Sequence, residues 1–409
     1  MAISDIYTDK QLEVLKATQK QDWFILGNDG AKRSGKTVIN NDLFLLELKR
    51  VKKIANAEGI NEPMYILAGF SSSTIQTNIL QELYNKYGLD VKFDKHNNFR
   101  LFGVKVIQTF TGTIAGLGAI RGMTSYGAYI NEASLAKQEV FKEIISRCSG
   151  TGARIIFDTN PDNPEHWLKK EYIDQAATNE NILSFHFTLN DNTFLSDRYR
   201  KNIMAATPSG MFYDRDIKGL WVSAEGVVYQ DFDANKHYIQ SQNVPQLSTF
   251  YCGVDWGYEH WGSIVVIGEN DDGVAYLIEE HASQFEEIDY WVEIAKGIQE
   301  RYGFRVPFYC DSARPEHVAR FQREHIRASN ADKARLSGVE AVAKRFKTNS
   351  LLVCRDKVSK FRDEIYQYVW DKKSGEPIKQ YDDVLDALRY AIYTHHKPKA
   401  RAKGFKGGL

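Results

Sequence analysis

Residues 30–37 read Gly30-Ala31-Lys32-Arg33-Ser34-Gly35-Lys36-Thr37, a full match to the phosphate-binding pattern G-x-x-x-x-G-K-[ST]. The residue types dictate the chemistry. Gly30 and Gly35 let the backbone turn its N–H groups inward around an anion. Lys36 can reach the β- and γ-phosphates, and the Thr37 hydroxyl can take one position on Mg²⁺. Ser34 lies inside the same loop and counts with its nucleotide-binding residues. Lys32 and Arg33 add cations, where a positive charge can stabilise the developing γ-phosphate. The flanks agree. Trp23 to Gly27 is a short apolar run that reads as a buried strand, and Val38, Leu43, Leu45, Leu46 and Leu48 are spaced for a helix from Thr37 to about Lys53. Strand, loop and helix together predict an ATP site served by Mg²⁺.

Working outward, strands and helices alternate up to about residue 220. Strands are expected at 64–69, 126–130 and 153–157, helices at 74–87 and 137–147, and a hairpin over 91–110 turning at Lys95-His96-Asn97-Asn98. Such alternation implies a mostly parallel α/β sheet with chemistry at its strand ends. Asn131-Glu132 and Asp158-Thr159-Asn160-Pro161 occupy two such ends. Glu132 is the expected water-activating carboxylate. Asn131 stands where a metal-side Asp is usual; it keeps an acceptor oxygen but no charge. Asp158 is its rival for that role, and Asn160 is placed to sense the γ-phosphate. Arg121 can contact phosphate or reach a neighbouring subunit, although a lone Arg is ordinarily a surface residue. The Gln11 amide is suited to reading the adenine edge.

The pattern changes after Trp221. Residues 226–245 are polar and turn-rich and read as a linker between a domain over 1–225 and another over 246–395. Three strand-like runs (249–254, 263–268, 274–279) follow, the last two joined by a turn at Glu269 to Gly273 in which Asp271 and Asp272 are turn residues. Then come a helix at about 286–301, a strand at 306–310 and a last helix at about 382–395. Asp255 and Asp311 each end a strand. Asp383 and Asp386 share one face of the last helix, with Asp382 as its expected N-cap. Carboxylates in this order suggest an RNase H-like nuclease with a mixed sheet, holding two Mg²⁺ or Mn²⁺ through hard oxygen ligands. Asp386 is favoured over Asp383 as third ligand. Residues 371–377 read as a hairpin tip, and 396–409 as a basic, disordered tail.

Global numbers exclude more than they choose. A length of 409 residues fits two domains, and 53 Lys+Arg against 53 Asp+Glu leave no net charge, which argues against a uniformly basic DNA coat but not against a local basic channel. Cys148, Cys252, Cys310 and Cys354 are scattered, without C-x-x-C spacing, as in reduced buried thiols. No secretory leader, membrane span or internal repeat is expected.

In this order, the motifs resemble those of the large terminase subunit of tailed bacteriophages. The resemblance rests on Gln11, Gly30 to Thr37, Ile120-Arg121-Gly122, Asn131-Glu132, Thr159-Asn160-Pro161 and the junction from Gly219-Leu220-Trp221 to Gly226-Val227-Val228-Tyr229. It continues through Asp255, Asp311 and the run Asp382 to Tyr390. It implies an N-terminal packaging ATPase joined to a C-terminal RNase H-like endonuclease, which cuts concatemeric viral DNA and drives it into a procapsid. Its implied partners are double-stranded DNA, a small terminase subunit, the portal ring and further copies of the chain in an active ring. The implied setting is the cytoplasm of an infected bacterium. A helicase-like or repair ATPase fused to a nuclease is the second reading, and a non-catalytic ATP-switched scaffold, suggested by Asn131, is the third.

Overall fold

Two sheets organise the chain, one in each of two units. The computed structural model describes residues 5–162, 164, 166–223 and 225–397. The first unit holds the residues up to Met204 together with Tyr213–Ser223, and the second holds Ala205–Phe212 and the residues beyond 224. The short stretch Ala205–Phe212 thus leaves the range 1–225 expected for the first domain.

The first unit has strands β1 (Ile25–Gly30), β2 (Met64–Gly69), β3 (Phe99–Leu101), β4 (Val104–Phe110), β5 (Gly127–Ile130), β6 (Arg154–Thr159) and β7 (Ile182–Phe187). They lie in the order β3-β4-β2-β5-β6-β1-β7, parallel except for the β3–β4 hairpin. Every residue of β1 is buried, as a strand covered on both faces requires. Successive side chains alternate between those faces. Leu26, Tyr65, Leu67, Tyr129 and Ile156 pack with Phe44 of the helix Lys36–Ala57. Ile25, Ile66, Ala128, Ile155 and Phe157 pack with Phe141 of the helix Gln138–Arg147. The expected hairpin differs in its turn. The β3–β4 ladder pairs Leu101 with Val104, so the chain turns at Phe102 and Gly103, whose φ values are 50° and 75°. Two positive φ values make the tight turn that matches strand twist. At 95–98 there is only a smaller loop, in which Asp94 accepts from the His96 and Asn98 N–H groups, closed by a lone Phe93–Phe99 bridge.

The second unit has β8 (Tyr238–Ile239), β9 (Thr249–Asp255), β10 (Gly262–Glu269), β11 (Ala275–Ser283), β12 (Phe308–Cys310), β13 (Ala328–Asn330) and β14 (Leu351–Cys354). Their order is β13-β12-β9-β10-β11-β14-β8. Strands β9, β10 and β11 are antiparallel neighbours, and β12 and β13 add parallel to β9. Three antiparallel strands extended by two parallel ones is the RNase H-like arrangement expected. The stretch 226–245 is not a free linker. Val228, Tyr229 and Phe232 are buried, the Phe232 ring meets Phe346 and Phe361, and β8 pairs with β14. Its polar residues hid an apolar face. At the other end, His396 closes the final helix Asp383–His396 and Lys397 pairs with Asp332. The rest of the expected tail lies outside the described residues.

The final helix crosses β9 closely. A Cβ built on Gly253 would sit 1.8 Å from the Ala387 carbonyl oxygen, so only a glycine permits this approach. We expect Gly253→Ala to push the helix off the sheet and destabilise the second unit by about 1–3 kcal/mol. Urea unfolding measures it; an unchanged midpoint would show that the helix does not depend on this contact.

Candidate functional site

Strands β5, β6 and β1 are neighbours, so their C-terminal ends bring Asn131-Glu132, Asp158 to Asn160 and the phosphate loop to one edge. Gly30 and Gly35 have φ of 131° and 95°, backbone that L side chains rarely adopt. Gly35 stands as N-cap of the helix Lys36–Ala57, which turns that helix's N-terminal N–H groups toward the loop, a ready anion site. Thr37 lies in the first turn of the same helix.

Lys36 is 5% exposed. Its ammonium donates to the carbonyls of Gly30 (2.9 Å) and Ala31 (2.6 Å), to Ser34 Oγ (3.3 Å) and to Asn160 Oδ1 (3.2 Å). Burial lowers its pKa to about 8 against the pull of Asp158, Asp29, Asp216 and Glu132. Lys36 and Asn160 therefore meet. Glu132 is raised above the ordinary carboxylate range by burial and then by Asp158, while Lys32 and Lys36 oppose the rise.

Other expected residues are placed differently. Lys32 pairs with Asp216 at 2.8 Å. Arg33 is exposed, with φ of 60°, and its carbonyl accepts from Asn192 Nδ2 at 2.7 Å. Gln11 is 3% exposed; its Oε1 accepts from Thr8 N–H (3.0 Å) and its Nε2 donates to the Gly35 carbonyl (2.9 Å). In this arrangement Gln11 caps its own helix and braces the loop rather than facing an open adenine site. Asn131 is fully buried, its Oδ1 accepting from Asn78 and its Nδ2 donating to Asp158. Arg121 is exposed at the end of the helix Leu117–Ile120, as a surface Arg would be.

In the second unit Asp255, Asp311, Asp383 and Asp386 line one cavity of about 850 Å³. Burial pushes the Asp255 carboxyl well up, and Asp386, Asp311 and Asp383 push it further. Protein cations hold two of the others. Lys333 Nζ lies 2.5 Å from Asp311 Oδ1, and Arg389 grips Asp386 with Nε to Oδ1 at 3.1 Å and Nη2 to Oδ2 at 2.8 Å. Asp383 has no ion pair within 4.0 Å among the described residues. No three acidic, His or Cys side chains among the described residues stand close enough to enclose an ion as they are. The donor set nonetheless fits a hard divalent cation: five carboxylates, Asp382 among them, share one cavity, and their mutual repulsion is only partly offset.

Comparison with known proteins agrees with the fold. The family model described as phage terminase large subunit matches residues 101–209. The large terminase from a thermophilic bacteriophage superposes with a TM-score of 0.81 at 25% identity, over 95% of this chain and 98% of that one. Over nearly its whole length the chain is similar to a phage large terminase. The same thermophilic-phage terminase solved with ADP gives a TM-score of 0.77 at 26% identity, over 96% of this chain and 99% of that one. Its complex with ATP-γ-S gives 0.77 at 26%, over 95% and 99%. No curated protein matches the chain.

Some residues around these sites escaped the sequence reading. Asp29, one step before the motif, accepts from Trp221 Nε1 at 2.9 Å and meets His186 Nδ1 at 3.1 Å; the bond to Asp29 raises the His186 pKa. Arg215 joins Asp162, two residues past Asn160, at 3.0 Å. Asp382 holds the N-cap position of the final helix but makes no capping bond. Glu364 does that work: its Oε2 accepts from the Val384 and Leu385 N–H groups at 3.0 and 3.1 Å.

Glu364 is fully buried, and burial raises its pKa to about 8 from an ordinary carboxyl value near 4.5. Between those two values the unfolded chain releases this proton while the folded chain keeps it. The second unit should therefore lose stability as pH rises from about 4.5 to about 8, by on the order of a few kcal/mol. Glu364→Gln keeps an acceptor for both N–H groups and removes the ionisation. Melting curves in chelator should show a flatter pH profile for this variant; an identical profile would clear Glu364 of the effect.

Proposed function

We propose that this chain hydrolyses ATP in its first unit, cuts double-stranded DNA in its second, and serves as the motor that drives viral DNA through a portal into a procapsid. One observation carries the reading. A Lys36 ammonium ties the phosphate loop to Asn160 at the strand ends bearing Glu132, in a chain that also gathers five aspartates around one cavity. The thermophilic-phage relative, solved with ADP and with ATP-γ-S, supports nucleotide use here.

In the ATPase, Lys36 compensates phosphate charge, and Glu132 in its ionised form orients water and takes its proton. Thr37 would hold Mg²⁺, which supplies charge neutralisation on the phosphates. In the nuclease, Asp255, Asp311 and one or both of Asp383 and Asp386 would hold two Mg²⁺ or Mn²⁺, which supply Lewis-acid charge at a scissile phosphate. Lys360, Lys379 and Lys333 also line that cavity and suit a DNA backbone. The double grip of Arg389 makes Asp386 the more committed carboxylate and Asp383 the more open one, against the order favoured from sequence. A small terminase subunit, the portal and a ring of copies are proposed partners, in the cytoplasm of an infected bacterium and docked on the procapsid. No described helix is long and apolar enough to cross a membrane. The helicase-like alternative gains no support from the second sheet, which mixes antiparallel and parallel strands and does not repeat the parallel order of the first.

Lys36→Ala should abolish ATP hydrolysis, and Glu132→Gln should bind ATP but turn over at least about a hundredfold more slowly. Asp255→Asn and Asp311→Asn should abolish Mn²⁺-dependent plasmid cleavage and leave ATP hydrolysis largely intact. Cleavage retained by both aspartate variants would remove the nuclease assignment. DNA translocation that proceeds without portal or procapsid would favour the helicase-like reading.

A further inference from the structure

Glu132 occupies an unusual conformation. Its φ and ψ are 56° and 52°, in the left-handed region that a side chain with a Cβ seldom holds unless its surroundings enforce it. The enforcing contacts come from the end of β6. Asp158 Oδ1 accepts the Glu132 backbone N–H at 3.0 Å. Two residues on, Ser134 N–H donates to Thr159 Oγ1 at 3.0 Å, and its hydroxyl donates to the Asn160 carbonyl at 3.1 Å.

Asp158 is itself 2% exposed and surrounded by donors. Oδ1 also takes the Asn131 amide at 2.7 Å. Oδ2 faces the Tyr129 hydroxyl at 2.9 Å and the Asn40 amide at 3.4 Å. The two amides are oriented by others: Asn78 Nδ2 donates to Asn131 Oδ1 at 3.0 Å, and Asn28 Nδ2 donates to Asn40 Oδ1 at 2.6 Å. Four donors use the lone-pair sites of one carboxylate. A carboxylate so committed organises the site and is poorly placed to ligate a metal directly. An Asp at position 131 would set a second carboxylate oxygen about where the Asn131 amide now donates, replacing a charge-assisted bond with like-charge repulsion in a dry site.

We propose that Asp158 is a positioning residue for ATP hydrolysis: it carries the buried negative charge at this edge of the sheet and pins Glu132 in the left-handed turn, with Asn131 as its required neutral donor. Asn131 is then no weakened metal ligand. It is one half of a pair in which charge and amide have exchanged strands, the charge on β6 and the amide on β5. The inference rests on the reading of Glu132 as the water-activating base.

The test compares four variants of the full chain with the unaltered protein: Asn131→Asp, Asp158→Asn, the double exchange, and Glu132→Gln. Three quantities are read: steady-state ATP turnover, binding of a fluorescent ATP analogue in chelator, and the thermal unfolding midpoint. Each single exchange should lower kcat by about a hundredfold, the effect of misplacing a reacting group by about 1 Å, while KM and analogue binding stay within about threefold. Asn131→Asp should also lower the unfolding midpoint. The double exchange restores one carboxylate and one amide, and should recover most of the turnover and of the midpoint. Asn131→Asp with unaltered turnover and midpoint would overturn the pairing, as would a double exchange no better than the worse single. If Glu132→Gln turns over normally, the base assignment fails and the inference with it. If Glu132→Gln is inactive and Asp158→Asn is not, only the inference fails.

Discussion

Carboxylates taken out of water beside one another set the terms for both units. Ionised, each loses hydration and repels its neighbour, so a protein that needs several at one place must supply compensating donors or cations. In the first unit the compensation is internal. Asp158 sits among a tyrosine hydroxyl, two asparagine amides and a backbone N–H, and Lys36 stands nearby. That arrangement shapes the turn at Glu132 and thereby the edge of the sheet where nucleotide chemistry belongs.

The second unit meets the same constraint differently. Asp255 lies at the end of a central strand and shares its cavity with other carboxylates. Lys333 and Arg389 restrain Asp311 and Asp386 from the side, and Glu364 holds the first turn of the final helix from beneath. Gly253 lets that helix lie close enough to β9 for its aspartates to reach the cavity. Compensation here is partial. A site of this kind is stabilised by divalent cations and carries charge for them in advance, which is consistent with the proposed nuclease.

Much of this was legible in the sequence because the signals are local. A phosphate loop needs eight consecutive residues, and strands such as 64–69 declare themselves as apolar runs bounded by turns. Asp255, Asp311, Asp383 and Asp386 could be listed because each sits at a strand end or on one helix face. What was missed depends on tertiary context. β7 is half-buried at the sheet edge and alternates weakly, and β13 is only three residues long. Glu364, within Lys-Phe-Arg-Asp-Glu, looks like a surface acid until the final helix covers it. The polar stretch 226–245 concealed Val228, Tyr229 and Phe232, whose apolar partners come from residues more than a hundred positions later. Asn131 looked like a defect because its partner Asp158 lies on a different strand.

The central claim is that buried carboxylates are assembled ahead of the charges that complete them, and the nuclease cavity tests it most directly. Mn²⁺ should be titrated into the full chain by calorimetry near neutral pH, in two buffers of different ionisation enthalpy. Because the Asp255 carboxyl is pushed well up, the account predicts Mn²⁺ binding accompanied by proton release, with both the binding and the buffer-dependent heat lost in Asp255→Asn. Mn²⁺ binding of equal strength and equal proton release in Asp255→Asn, or none in the unaltered chain, would contradict it.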